Sequence, residues 1–191
     1  MRKLIPLAVS LALGVSPLVA TAPVLRKSPE FTIVEPSGKQ TQLSSLKGKV
    51  VLIEFLLTNC PHCMRVSQTL TTLHKELGPR GFQPIAIAFD LNITGANVTS
   101  FAQRFGVTYL MGYTSSDKVD AYLGREPADR LQVPQIVVID RAGVIRAQSR
   151  PVREANLEDE IYLRNFLNTL LIESVPAGSA KKTASPRKKT N

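Results

Sequence analysis

The sequence predicts an α/β fold, a three-layer sandwich with a mixed central sheet and an N-terminal β-hairpin. Three observations carry this. Two near-continuous apolar runs, residues 50–57 and 84–89, have strand length and read as strands covered on both faces. Apolar residues at helical spacing follow the first run (Val66, Leu70, Leu73, Leu77) and close the chain (Leu163, Phe166, Leu167, Leu170, Leu171). Two pairs of short strands flank tight turns, at residues 36–39 and 141–143, and demand antiparallel neighbours in an otherwise βα-alternating chain.

In chain order, Phe31-Thr32-Ile33-Val34 alternates like a strand, Pro36-Ser37-Gly38-Lys39 turns, and residues 40–43 return as the second arm of the hairpin. Residues 43–49 predict one helical turn ending at glycine, and the central strand 50–57 follows. A helix over 61–77 is stopped by Gly78-Pro79, and strand 84–89 follows it. Helix 98–105 is closed by Gly106, with strand 109–113 and a short helix 117–123 next. Strands 135–140 and 144–149 meet at Arg141-Ala142-Gly143. The last helix takes Asn156 as N-cap, with Glu158, Asp159 and Glu160 where the helix dipole favours acids.

The hydrophobic share of 43% and charged share of 20% are those of a globular domain. The net charge of +9 does not mark a nucleic-acid binder, because it is badly placed: Lys181, Lys182, Arg187, Lys188, Lys189, Arg2 and Lys3 account for all but +2 of it. Met1-Arg2-Lys3, an apolar stretch to Ala22 and the small residues Ala20-Thr21-Ala22 have the layout of a secretory signal, cleaved or kept as an anchor. The expected organisation is a signal or membrane anchor over 1–22, a linker over 23–30, one domain over 31–173 and a disordered basic tail over 174–191. An extracytoplasmic, periplasmic location follows from that layout, with membrane association through the N-terminus as one form of it.

Only two cysteines are present, in Cys60-Pro61-His62-Cys63, where a buried strand gives way to a helix. A structural disulfide framework uses more cysteines and wider loops, and a zinc site wants further ligands than His62 and His74 supply. His74 reads as a surface residue. At a helix start, unpaired N–H groups and the dipole stabilise a thiolate on Cys60, and Pro61 loses nothing by lacking an N–H. His62, protonated or donating, adds to this. Cys60 is then the nucleophile, and Cys63, one turn further in, resolves the mixed disulfide.

With Leu43-Ser44-Ser45-Leu46-Lys47-Gly48-Lys49-Val50-Val51-Leu52-Ile53-Glu54-Phe55 ahead of this motif, and Val133-Pro134-Gln135-Ile136-Val137-Val138-Ile139-Asp140 after it, the chain resembles the thioredoxin superfamily. It is most similar to the TlpA/ResA-like branch of exported thiol–disulfide oxidoreductases. The resemblance implies a thioredoxin-like domain without metal or organic cofactor. It implies client proteins carrying thiols or disulfides, and a membrane or soluble redox partner. It places a cis-proline at Val133-Pro134 beside the cysteines, presenting backbone to a substrate, and a buried acid at Glu54 that takes the Cys63 proton. The branch's usual tryptophan before the first cysteine is Asn59 here. The Pro61-His62 dipeptide resembles strongly oxidising disulfide oxidases, whose large helical insertion this chain lacks, so the redox direction stays open with the reductase sense favoured. Two further readings stand beside this one. The first is a non-enzymatic copper-binding or metallochaperone module using Cys60, Cys63 and Met64 or His62. The second is a peroxiredoxin, whose threonine falls out of register at Thr58.

Overall fold

A computed structural model describes residues 26–126, 128, 130–149 and 155–173. The expected signal or anchor at 1–22 and the basic tail at 174–191 lie outside them.

The β-branched and aromatic run of β4 (Val50–Leu56) is buried along its whole length, because it lies in the middle of an eight-stranded mixed sheet of order β1-β8-β7-β4-β5-β6-β2-β3. It pairs in parallel with β5 (Phe82–Ala88), which pairs in parallel with β6 (Leu110–Tyr113). On its other side β7 (Gln135–Ile139) runs antiparallel and turns into β8 (Val144–Gln148).

Strand alternation divides the core into two layers. Val50, Leu52 and Leu56 pack under α1 (Pro61–Leu77), α2 (Gly95–Phe105) and α4 (Glu160–Ile172), through Val66, Leu70, Leu73, Phe101, Leu163 and Leu167. Val51, Ile53 and Phe55 face α3 (Ser116–Leu123). There Phe31, Phe55 and Tyr122 form an aromatic triangle with ring centroids 5.3–5.7 Å apart. Glu54 shares the parity of Leu52 and Leu56, so its carboxyl is directed under α1.

The hairpin, β2 (Thr32–Val34) with β3 (Gln40–Gln42), extends the sheet at β6, where Val34 pairs with Tyr113. Gly112 makes this docking possible: a Cβ there would stand 2.7 Å from Ile33 Cγ2 and 2.9 Å from the Val34 carbonyl.

Two expectations are corrected. The stretch expected as a linker contains a strand, β1 (Arg26–Lys27), which pairs Arg26 with Ile145 and Lys27 with Val144 on the outer edge of β8. The last helix is capped by Asp159, whose side chain accepts from the Tyr162 N–H at 2.8 Å, and not by Asn156. Ala155–Glu158 form a 3₁₀ turn instead, pinned by Leu157, which is 3% exposed. Helix α2 also begins earlier than its apolar residues indicate, because Thr94 and Asn97 form a reciprocal capping box.

Candidate active site

The site is built where β4 ends. Leu57, Thr58 and Asn59 carry the chain from the sheet to α1, and Cys60 is the N-cap residue of that helix, with Pro61 in its first turn. The cap geometry acts on sulfur: the Cys63 backbone N–H donates to Cys60 Sγ at 3.3 Å. A helix-terminal donor, one of the N–H groups that no helical carbonyl can satisfy, therefore points at the atom that must bear charge.

Both cysteines are free thiols, and they differ in environment. Cys60 is half-buried, whereas Cys63 is fully buried against Leu56 and Leu70 in the layer beneath α1. Burial pushes the Cys63 thiol far above the ordinary cysteine range, and the bond to Cys60 and the nearby Glu54 carboxylate push it further.

Glu54 is 0% exposed. Ser67 Oγ, one turn beyond Cys63 on α1, donates to its Oε2 at 2.8 Å, while the buried Oε1 has no hydrogen-bond partner within bonding distance among the described residues. Burial raises this carboxyl to about 8, with the Glu158 carboxylate adding to the rise and Ser67 only partly opposing it. Such a group holds a proton at neutral pH and releases it just above. The Tyr109 hydroxyl closes the far side of the cluster, donating to the Ser67 carbonyl at 3.4 Å. His74, expected at the surface, is half-buried with its ring edge-on to Tyr109.

On the other flank of Cys60, Val133 and Pro134 form the entry to β7. Their peptide bond is cis, Pro134 is buried, and the Val133 carbonyl lies 3.8 Å from Cys60 Sγ. The structure thus gathers Cys60, Pro61, Cys63, Val133 and Pro134 at the start of α1, with Glu54 beneath and near enough to raise the Cys63 thiol. His62 points to the surface, with its side chain 45% exposed.

Five contributors are not legible in the sequence: Ser67 and Tyr109 beside Glu54, and Asp90, Arg65 and Glu158. Asp90, just past β5, accepts from the Thr58 N–H at 3.0 and 3.1 Å and from Thr58 Oγ1 at 2.9 Å, fixing the turn that presents Cys60. Arg65 Nη2 donates to His62 Nδ1 at 2.9 Å, and Glu158 Oε2 stands 3.8 Å from the same nitrogen. An acid directly after a buried strand, at the sheet end that carries the cysteines, was the available signal for Asp90; Glu158 had none. Among the described residues, no group of three or more His, Cys, Asp and Glu side chains is placed to hold a metal ion.

The Redoxin family profile matches residues 24–164. The chain belongs to the Redoxin family. Within it, this Redoxin protein is a TlpA/ResA-like oxidoreductase of the thioredoxin superfamily. It is 25% identical over 123 residues to the thiol-disulfide oxidoreductase ResA of Bacillus thuringiensis, an overlap of 64% of this chain and 67% of that one. A solution structure of a candidate protein disulfide isomerase from Bacteroides thetaiotaomicron is 30% identical, with a TM-score of 0.63, and covers 79% of this chain and 93% of its own. A thiol:disulfide interchange protein from Chlorobium tepidum shares the fold at 23% identity and a TM-score of 0.63, over 80% of this chain and 99% of that one.

Proposed function

We propose that this Redoxin-family chain is an exported thiol–disulfide oxidoreductase that exchanges disulfides with client proteins through Cys60 and Cys63, in the reductase direction. The observation that carries the reading is the asymmetry of the pair: Cys60 sits at a helix start with an N–H aimed at its sulfur, while Cys63 is buried beside a proton-holding carboxyl.

In this reading the Cys60 thiolate attacks one sulfur of a client disulfide, and the client's other sulfur leaves as a thiolate. The client stays covalently bound through Cys60. Ionised Glu54 then takes the Cys63 proton, the Cys63 sulfur attacks Cys60 Sγ, and the second client sulfur departs. The client gains two electrons and the chain holds a Cys60–Cys63 disulfide, which a membrane or soluble redox partner must reduce. Val133, whose carbonyl borders Cys60 Sγ, offers backbone to the client beside Pro134. Export rests on the N-terminal layout of basic flank, apolar stretch and small residues.

The test is equilibration of the full chain against glutathione buffers, with thiol alkylation as readout. A potential near about −270 mV supports the reductase, and one near about −120 mV reverses the direction. In cell extracts, Cys63→Ser is expected to trap mixed disulfides that Cys60→Ser does not form. A Cys63→Ser chain that traps nothing removes the resolving role of Cys63.

A further inference from the structure

Glu54 must ionise to accept the Cys63 proton, and a carboxylate sealed in an apolar layer is costly unless donors surround it. One donor is in place, Ser67 Oγ at 2.8 Å from Oε2. The other oxygen, Oε1, has no partner within bonding distance among the described residues. β5 and β7 set Ala86 and Ile136 beside Glu54, and neither side chain can donate.

The donor placed to answer that oxygen is Tyr109, just ahead of β6. Its hydroxyl is spent on a poor acceptor, the Ser67 carbonyl at 3.4 Å. That carbonyl lies in mid-helix, where α-helical geometry gives it the N–H four residues on, and Thr71 Oγ1 also donates to it at 3.1 Å. Ser67 thus touches Glu54 through its hydroxyl and Tyr109 through its carbonyl, which brings the phenol and the carboxyl together. A hydroxyl proton turns about its C–O bond without moving the ring. The ring itself is held, buried in the layer beneath α1 and edge-on to His74. Burial, and after it the Glu54 charge, hold the phenol proton well above neutral pH, so Tyr109 is a donor wherever Glu54 titrates. The other ionisable groups about the carboxyl are the Cys63 thiol on α1, with Cys60 beyond it, and Glu158 ahead of α4. None of them supplies positive charge.

We propose that Tyr109 is a positioning residue for the resolving step: when Glu54 becomes negative, the phenol O–H leaves the Ser67 carbonyl for Oε1, so that each carboxylate oxygen holds one donor. This rests on the reading of Glu54 as the acceptor of the Cys63 proton. A charge-assisted bond is about twice as strong as the neutral one it replaces, and the Ser67 carbonyl keeps its Thr71 partner. The driving force for the exchange therefore exists only in the ionised state.

The test uses the reduced full chain and an aromatic disulfide, dithiobis(nitrobenzoate). Cys60 attacks it and releases one thionitrobenzoate, leaving the other bound as a mixed disulfide. Glu54 takes the Cys63 proton, the Cys63 sulfur attacks Cys60 Sγ, and the second thionitrobenzoate departs as the Cys60–Cys63 disulfide forms. The second release therefore times resolution alone. Tyr109→Phe keeps the ring and removes the donor. It should move the pH rise of the second release upward by about one unit and slow it about three- to tenfold at neutral pH, with the first release unchanged. Added to Glu54→Gln, it should change the second release by less than about twofold. Thr71→Val deletes the other hydroxyl on the Ser67 carbonyl and should leave the pH profile where it is. An unshifted profile in Tyr109→Phe, equal slowing in the Glu54→Gln background, or the same shift in Thr71→Val overturns the proposal. Carbon NMR of the labelled Glu54 carboxyl in the reduced protein gives its titration midpoint without any disulfide. That midpoint should rise in Tyr109→Phe, and an unchanged one sinks the proposal. If the wild-type second release does not depend on Glu54, the proton-acceptor reading falls instead, and the carboxyl midpoint still reports on Tyr109.

Discussion

Glu54→Gln is expected to stabilise the reduced protein while slowing its chemistry, and the structure sets the size of the first effect. The folded-state value is raised from 4.5 to about 8, so across that window the native protein keeps a proton that the unfolded chain has released. Stability therefore falls as pH rises through it. At about 1.4 kcal/mol per unit, the penalty is about 1 kcal/mol at pH 5, about 3 kcal/mol at pH 7 and about 5 kcal/mol well above pH 8. Gln still accepts from Ser67 Oγ and does not titrate. Its buried amide hydrogens offset part of the gain, but by an amount independent of pH. The observable is thus the difference in unfolding free energy between variant and wild type, measured by urea denaturation with reductant present from pH 5 to 9. That difference should grow by about 2 kcal/mol between pH 5 and pH 7. A difference flat in pH refutes the reasoning, because Glu54 would then titrate alike in both states. In the same series, wild-type exchange should accelerate as pH passes about 8, and the Gln variant should lack that rise.

Two further outcomes follow from the packing. Asp90→Ala removes the acceptor of three hydrogen bonds from Thr58, so it should cost about 2–3 kcal/mol in urea denaturation and slow exchange by loosening the Cys60 turn, with Asp90→Asn recovering part of both. Gly112→Ala drives a methyl into Ile33 and the Val34 carbonyl, and should lower stability by about 1–3 kcal/mol, read from a thermal melt as a reduced midpoint.

The legibility of this chain follows the range of its interactions. The interior strands announce themselves because burial on two faces needs continuous apolar residues, and α1 because its core face repeats every three or four positions. The cysteine motif is local and so was readable, as was Glu54, a lone acid in an apolar strand. β1 was not, since Arg26 and Lys27 have no apolar alternation and their pairing to β8 is made by backbone alone. The cap of α4 is not legible locally, because several acids and Asn156 compete there and tertiary burial of Leu157 decides the start. From the sequence, Glu158 reads as a dipole-favourable acid in that helix. Its place beside His62 comes from residues 96 positions apart in sequence, which no periodicity encodes.

The position of β1 decides which part of the sheet edge is covered. β1 pairs with the first residues of β8, level with Val51 and Ile139, whereas Cys60 emerges beyond Leu56 at the opposite end of the same sheet. Lys27 and the reactive sulfur lie towards opposite ends of the sheet, separated by about 20 Å of strand at about 3.3 Å per residue. Because β1 runs antiparallel to β8, it heads away from the Cys60 end of the sheet, and at Val144 and Ile145 it closes the outer edge of β8 to pairing with any other strand.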